Sequence, residues 1–210
     1  MIPNNPPDPE LLNELLGSVG LQQLTDIQLE MFNAYLGLIL KWNQRMNLTA
    51  IRNPMEILQR HFVECIACSY SLPGYIRTVL DFGTGAGLPG IPIAICRPDV
   101  SVTLAESQVK KAAFLEEVAR TLHLNAKVFC GRAEEITELF DCVTLRAVDR
   151  MYEAVGHSSK LISAHGRLAV MSTRDSYSQL IHTSDKEIAW SIPISLQGSN
   201  QGVILLGRRK

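Results

Sequence analysis

The chain has 210 residues, of which 46% are hydrophobic and 20% are charged, so it is long and apolar enough to form a full domain and not a disordered, collagen-like or coiled-coil protein. Lys and Arg number 20 against 21 Asp and Glu, so a nucleic acid partner would have to meet a local basic patch. The five cysteines are scattered, and neither a signal-peptide pattern nor a long apolar run is present, so we expect a cytoplasmic protein without a membrane span.

The first third of the chain predicts helices. Apolar side chains recur at helical spacing in residues 11–19, 29–42 and 57–66. Thr25 and Gln28 have the spacing of a capping box, which predicts the start of the second helix.

The rest of the chain alternates between strand-like and helical segments. Short buried-type strands are expected at residues 78–82, 100–104, 127–130, 141–145 and 167–172. The helices between them imply right-handed crossovers and an α/β fold with a doubly wound, mainly parallel sheet. Two final β-rich runs, residues 188–196 and 203–206, predict an antiparallel C-terminal hairpin. We therefore expect N-terminal helices, residues 1–74, packed on a core formed by residues 75–210.

A glycine-rich loop, residues 81–90, follows the first predicted strand. Its glycines let the backbone turn tightly and approach a ligand closely. The spacing Gly85-x-Gly87-x-x-Gly90 fits a dinucleotide fingerprint, in which pyrophosphate binds free N–H groups of the next helix. Asp81 favours a different ligand, because its carboxylate repels pyrophosphate and attracts the ammonium and sulfonium groups of S-adenosylmethionine. A tight turn with an Asp cap is the structural alternative.

Three charged residues follow at the ends of later strands. Glu106 ends the second strand, where an acid can accept hydrogen bonds from both ribose hydroxyls. Glu134 follows the third strand, where a carboxylate can accept from an adenine amino group. Arg146 closes the fourth strand and faces the ligand crevice, in reach of cofactor or substrate phosphate. The structural alternatives are helix-capping acids for both glutamates and, for Arg146, an ion pair with Asp149 or Glu134.

Several motifs occur in a fixed order along the chain. They are Trp42-Asn43, Asn47-Leu48-Thr49-Ala50-Ile51, Arg60-His61, residues 81–90 with Pro92, Glu106-Ser107 with Lys110-Lys111, Arg132-Ala133-Glu134-Glu135 and Arg146-Ala147. Over residues 36–171 the chain resembles the guanine-N7 methyltransferases of small-subunit 16S ribosomal RNA, the RsmG or GidB family. Many methyltransferases share the glycine loop, whereas the Asn-Leu-Thr stretch and the Leu-Pro-Gly ending are more particular.

The resemblance implies a class I, Rossmann-like methyltransferase fold, S-adenosylmethionine as the cofactor, and 16S rRNA or the small ribosomal subunit as the partner of a monomeric enzyme. It places cofactor contacts on Gly83, Leu88, Ala133, Glu134 and Arg146, with Glu106 as the ribose acceptor. Guanine N7 has an available lone pair at neutral pH, so we expect catalysis by placement, with no general base.

The basic residues that we expect to contact RNA are Arg45, Arg52, Arg60, Lys110 and Lys111, with Trp42 or Tyr152 as stacking groups. As structural alternatives, lysines on helices are usually solvated, Trp42 fits the core, and Asn47 caps the turn between helices.

Two departures from the family pattern bear on RNA contacts. The family often has His-x-x-Asp-Ser-Leu in its third helix, where this chain has Glu64, Cys65 and Ile66 after His61. A lysine commonly follows the fifth strand, and Arg174 is the nearest substitute for its charge.

The cysteines do not predict a metal site. Cys65-x-x-Cys68 has zinc-like spacing, but it falls within a predicted helix, and His61 alone cannot complete a tetrahedral set, so we expect no metal. The remaining cysteines fit apolar core positions: Cys96, Cys130 and Cys142.

Other functions remain open at this point. A methyltransferase that acts on a small molecule or protein is the first alternative. A cofactor- or RNA-binding protein without turnover is the second, and a nicotinamide-dependent oxidoreductase is disfavoured by Asp81.

Overall fold

The computed structural model describes residues 8, 10–148, 150–184, 188–195 and 202–210. The helices are α1 (Glu10–Ser18), α2 (Asp26–Asn43), α3 (Pro54–Glu56), α4 (Val63–Ser71), α5 (Gly90–Cys96), α6 (Val109–Thr121), α7 (Met151–Lys160) and α8 (Arg174–Ser184). The strands are β1 (Thr78–Phe82), β2 (Ser101–Glu106), β3 (Ala126–Cys130), β4 (Phe140–Arg146), β5 (Ile162–Thr173), β6 (Ile188–Trp190), β7 (Ile194–Ser195) and β8 (Gly202–Arg209). A π-helical segment, Ile57–Phe62, joins α3 to α4, and a 3-10 turn, Ala133–Glu135, follows β3.

The strands form one sheet in the order β3-β2-β1-β4-β5-β8-β6, with β7 also paired to β8. The strands from β1 to β5 are parallel, and β8 runs antiparallel to β5, β6 and β7. This confirms the predicted α/β fold with antiparallel C-terminal strands. The strand order reverses between β1 and β4, and ligands of doubly wound sheets bind at the carboxyl ends of the strands at such a point.

The N-terminal helices share a hydrophobic core with one face of the sheet. Leu36, Ile39 and Phe62 belong to the same buried cluster as Val102 of β2. Tyr35 is fully buried, and its ring stacks on Phe62 with the centroids 5.2 Å apart. Helices α7 and α8 cover the opposite face with a second cluster. The N-terminal helices are therefore packed against the half of the sheet that carries the glycine loop.

Side-chain caps define the turns around α2. The capping box is confirmed, because Thr25 accepts from the Gln28 N–H and the Gln28 side chain accepts from the Thr25 N–H. Asn43 caps the turn after α2: its Oδ1 accepts from the N–H groups of Leu48 and Thr49. The interpretation of Asn47 as this cap is therefore wrong.

The sequence reasoning missed part of the C-terminal half. The fifth strand begins at Ile162, earlier than predicted, and the polar helix α8 was not foreseen. The run at residues 188–196 divides into β6 and β7, and Leu196 lies outside the described residues. Cys130 is exposed at the end of edge strand β3, so its placement in the core was wrong, whereas Cys96 and Cys142 are buried. None of the described helices is both long and apolar enough to cross a membrane.

Candidate cofactor and substrate site

A cavity of about 720 Å³ opens at the carboxyl ends of β1 to β4, where the strand order reverses. Three residues from the N-terminal helical part complete its wall: Leu48, Thr49 and His61. All six residues that we predicted to bind a cofactor line it: Gly83, Leu88, Glu106, Ala133, Glu134 and Arg146. The structure therefore brings together residues that are scattered over more than 60 positions of the sequence.

The backbone of the glycine loop adopts conformations that are energetically unfavourable for residues other than glycine. Gly83, Gly85 and Gly87 have positive φ angles of 69°, 59° and 94°. A Cβ added at Gly87 would lie 2.6 Å from Ile91 Cγ1 and 3.0 Å from the Tyr35 hydroxyl oxygen. The Tyr35 hydroxyl also donates a 2.6 Å hydrogen bond to the Ala86 carbonyl. Helix α2 therefore holds one side of the loop by direct contact.

Asp81 supports the loop from within the protein. It is 1% exposed and does not line the cavity. Its carboxylate accepts hydrogen bonds from the Thr84 hydroxyl, the Gly90 N–H and the Thr144 hydroxyl, at 2.5, 2.8 and 2.8 Å. Burial raises the pKa of Asp81, and these three hydrogen bonds counteract that effect. The interpretation of Asp81 as a carboxylate that faces a cationic ligand is therefore wrong.

Glu106 both caps backbone groups and lines the cavity. Its side chain accepts from the N–H groups of Gly85 and Gln108, at 3.1 and 2.8 Å, and the residue is 6% exposed. Removal of this carboxylate would therefore loosen the loop as well as remove an acceptor. Glu134 is more accessible, with 34% of its side chain exposed, and lies 3.8 Å from the Arg132 guanidinium.

Arg146 is fixed at the cavity wall by the π-helical segment and by the first turn of α4. Its Nη2 lies 2.9 Å from Glu64 Oε2, 2.9 Å from the Arg60 carbonyl oxygen and 3.0 Å from His61 Nδ1. The side chains of Arg146 and Glu64 are each only 15% exposed. This semi-buried ion pair holds the guanidinium in place and balances its charge.

Among the described residues, Arg146 pairs with Glu64 and not with the predicted candidate Glu134. Asp149 lies outside the described residues, and the carboxylate of Glu134 pairs with Arg132. Glu64 occupies the position where the family often has Asp, so this departure retains a negative charge that reaches Arg146.

His61 is a cavity residue that the sequence reasoning considered only as part of a motif and as an insufficient metal ligand. Arg146 can only donate hydrogen bonds, so we assign the lone pair of His61 Nδ1 to the contact with Nη2 and the ring proton to Nε2. The protonated Nε2 then donates to Thr49 Oγ1 across 2.9 Å. Burial and the charge of Arg146 lower the pKa of His61 from 6.5 to about 4, so the ring is neutral at neutral pH. The i, i+3 spacing of His61 and Glu64 places the two side chains on one face of a helix. This spacing was the sequence feature from which their shared position at the cavity could have been predicted.

Three of the five basic candidates lie in the cavity or in a groove beside it. Lys111 lines the cavity itself. Arg45 and Lys110 line a neighbouring groove of about 360 Å³, which we call the α2–α6 groove and which is formed by Lys41, Trp42, Arg45, Met46, Lys110, Ala113 and Glu117. Trp42 is half-buried there, and its indole N–H donates to Glu117 across 2.9 Å.

Other candidate side chains lie outside both places. Arg52 and Arg60 are exposed; Arg52 donates to the Asn47 side chain, and Arg60 immediately precedes His61. Tyr152 is on α7, with its hydroxyl bonded to Gln179. Arg174 donates to the Ser195 hydroxyl and does not line the cavity.

The described residues contain no cluster of three or more His, Cys, Asp and Glu side chains suited to a metal ion. Cys65 and Cys68 are buried in α4, and burial raises the pKa of Cys65 to about 12. A thiol of this kind stays protonated and behaves as a small apolar side chain.

The sheet order and the cavity at its carboxyl edge define the fold of a class I methyltransferase. An S-adenosylmethionine-dependent methyltransferase from Aquifex aeolicus has this fold, with a TM-score of 0.59, 16% identity, and coverage of 72% of this chain and 92% of that chain. The sequence model of the GidB family, rRNA small subunit methyltransferase G, matches residues 28–199. The chain belongs to this family.

Two relatives show the extent of the similarity. The chain is 43% identical over 141 residues to ribosomal RNA small subunit methyltransferase G of Xanthomonas euvesicatoria, and the alignment covers 65% of each chain. It is 38% identical over 164 residues to a protein of the same name from Desulfitobacterium hafniense, over 73% of this chain and 68% of the relative. The match thus spans 65% of the length of the Xanthomonas relative.

The neutral ring of His61 predicts a pH dependence of stability. Because the pKa is lowered from 6.5 to about 4 in the folded protein, protons bind the unfolded chain more tightly. The contribution of this group is therefore fully present above pH 6.5 and is lost as the pH falls to about 4. A pKa difference of this size corresponds to about 3 kcal/mol in the free energy of unfolding.

We expect the free energy of unfolding in urea to fall over this pH range in the wild type and to fall less in His61→Gln. His157→Gln, at an exposed position of α7, is the control and should follow the wild type. Equal pH dependence in the wild type and His61→Gln would contradict the prediction.

Proposed function

We propose that the protein transfers a methyl group from S-adenosylmethionine to N7 of a guanine in 16S ribosomal RNA. The observation that carries the proposal is the convergence of the six predicted cofactor residues on one cavity at the carboxyl edge of the sheet. Membership of the GidB family supports both the cofactor and the RNA substrate. The reaction would take place in the cytoplasm, with a monomer acting on the small ribosomal subunit or its RNA.

The cavity fits the cofactor in size and in chemistry. Its volume of about 720 Å³ falls in the range of about 300–1,000 Å³ that is usual for small-ligand sites. Glu106 at the end of β2 is the acceptor for ribose hydroxyls, and Glu134 with the backbone of Ala133 would hold the adenine. The backbone of the glycine loop, which has no side chains at its glycines to block a ligand, would bind the methionine moiety of the cofactor. When bound, the cofactor supplies an electrophilic methyl group on its sulfonium.

The protein would contribute placement and not proton transfer. Guanine N7 attacks with its own lone pair, so no side chain has to remove a proton. The bound base has to hold N7 in line with the bond that breaks, and correct positioning of this kind supplies much of the rate of such reactions. Arg146, fixed by Glu64, and the adjacent Thr49 and His61 form the wall of the cavity against which a base would be positioned.

The α2–α6 groove is the surface that we propose for the flanking RNA. Lys41, Arg45 and Lys110 bring three positive charges to it, against the single carboxylate of Glu117. Lys111, the next residue after Lys110 on α6, lines the cavity itself and adds a positive charge there. Phosphates of an RNA strand would neutralise these charges, whereas the chain as a whole has a net charge of −1.

Methyl transfer tests the proposal directly. With radiolabelled S-adenosylmethionine, we expect incorporation into 16S RNA, either naked or within 30S subunits, at a single guanine that maps as N7-methylguanine. Cofactor binding measured by calorimetry without any incorporation would refute the RNA substrate and leave the cofactor site standing.

A matched pair of glutamates tests the cofactor site. Glu134→Ala removes a cavity acceptor, and we expect the Kd for S-adenosylmethionine to rise about tenfold, the size of a lost hydrogen bond to a charged group. Glu135→Ala removes the neighbouring exposed carboxylate, which does not line the cavity, and should leave the Kd unchanged. Equal affinities in the two variants would remove Glu134 from the site.

Salt dependence tests the RNA surface. Each phosphate contact contributes about one to the slope of log K against log salt concentration, so we expect Lys110→Ala and Lys111→Ala each to weaken RNA binding and reduce the slope by about one. Lys160→Ala, at the exposed end of α7, is the control. A slope identical to that of the wild type in both variants would place the RNA elsewhere.

A further inference from the structure

Thr49 is held at the cavity wall by four hydrogen-bonding contacts. Its N–H donates to Asn43 Oδ1 and its carbonyl accepts from Asn43 Nδ2, at 3.3 and 3.1 Å. Its Oγ1 accepts from the Ile51 N–H at 3.1 Å and lies 2.9 Å from His61 Nε2. Both the backbone and the hydroxyl oxygen are therefore fixed before any ligand enters.

The direction of these hydrogen bonds determines what the hydroxyl can still do. Arg146 fixes the proton of His61 on Nε2, so Nε2–H donates to Thr49 Oγ1. The Ile51 N–H donates to the same oxygen, and together the two donors occupy both of its lone pairs. Among the described residues, none accepts a hydrogen bond from this hydroxyl. Thr49 lines the cavity, and its hydroxyl can still donate a hydrogen bond there but cannot accept one.

Such a group distinguishes guanine from adenine. On the edge that carries N7, guanine has O6, an acceptor, whereas adenine has an amino group, a donor. A methyltransferase that acts on N7 has to leave the N7 lone pair free, so O6 is the polar group of this edge that remains available for orienting the ring. A donor-only hydroxyl forms a hydrogen bond with O6 and confronts the adenine amino group donor to donor.

The position of Thr49 also suits a substrate base. Along the cavity edge the strands follow the order β3-β2-β1-β4, with Glu134 beyond β3, Glu106 at the end of β2 and Arg146 at the end of β4. A cofactor with its adenosine at β3 and β2 leaves the β4 end for the acceptor. Thr49 contacts His61, and His61 contacts Arg146, so the hydroxyl lies at this end.

We propose that the Thr49 hydroxyl, oriented by His61 and Ile51, binds O6 of the acceptor guanine and so excludes adenine from the site. This inference rests on the proposed function. Thr49 would contact the substrate, and His61 would act as a positioning residue that blocks the accepting capacity of the hydroxyl.

The test uses RNA fragments in which the target guanine is replaced by 2-aminopurine, which has hydrogen in place of O6, or by 2,6-diaminopurine, which has an amino group there. We expect wild-type kcat/KM to fall about tenfold or more with 2-aminopurine and further with 2,6-diaminopurine, because a site built to hydrogen-bond a group rejects analogues that lack it. Thr49→Val should lower kcat/KM for guanine by a similar factor and cause no further loss with 2-aminopurine. Thr49→Ser should retain the preference for guanine.

The variant His61→Ala tests the positioning role of His61 separately. It frees one lone pair of Thr49 Oγ1, so the hydroxyl can accept from an amino group, and discrimination against 2,6-diaminopurine should decrease. A purely structural role for His61 would lower the activity on all three bases equally, and that outcome would overturn its positioning role. Thr121→Val, at the exposed end of α6, is the control for the threonine substitutions and should match the wild type.

The experiment distinguishes a failure of the proposed function from a failure of the role proposed for Thr49. If the wild type transfers no methyl group to guanine in RNA, the proposed function fails. If the wild type transfers it and Thr49→Val keeps the full preference for guanine over 2-aminopurine, the role of Thr49 is refuted while the function stands. A weaker affinity of Thr49→Val for S-adenosylmethionine in calorimetry would place the hydroxyl on the cofactor, and would likewise overturn the inference.

Discussion

The buried carboxylate of Asp81 is the contact on which the geometry of the site depends. From the end of β1 it binds Thr84 in the glycine loop, the Gly90 N–H at the start of α5, and Thr144 on β4. A buried carboxylate is costly unless donors surround it, and here three donors compensate for the lost water. Because β1 and β4 flank the point where the strand order reverses, this one group fixes both the loop and the crevice. Tyr35 of α2 adds a hydrogen bond to the Ala86 carbonyl, so the N-terminal helices are part of the support of the site.

The features that the sequence predicted are those encoded in short segments. Alternating strands and helices implied the doubly wound sheet, and the rule that ligands bind at the carboxyl ends of its strands selected Glu106, Glu134 and Arg146. The structure brings all three to the cavity. The glycine loop was recognisable because positive φ angles and close packing, as at Gly87, require glycine. The motifs that resemble the GidB family lie mostly within these same segments.

The features that the sequence did not predict depend on contacts between distant segments. Arg146 pairs with Glu64, 82 positions earlier in the chain, and no local pattern identifies that partner. His61 was recognised as a motif residue, but its function depends on Arg146 at one nitrogen and Thr49 at the other. Asp81 was correctly placed at the strand end and wrongly oriented, since a strand position does not determine whether the side chain points to the ligand or into the core.

The charges around the β4 end of the cavity fit the reaction that we propose. Methyl transfer moves a positive charge from the sulfur of the cofactor to the base, so the total charge in the cavity stays constant and no group has to gain or lose a proton. A protonated His61 would place a second cation beside a base that is becoming cationic. Burial and the charge of Arg146 prevent this by lowering the pKa of His61, while Glu64 balances the charge of Arg146 itself. The same ion pair keeps the His61 proton on Nε2, and through it determines which way the Thr49 hydroxyl can bond. Electrostatic balance and base recognition therefore depend on a single chain of contacts from Glu64 to Thr49.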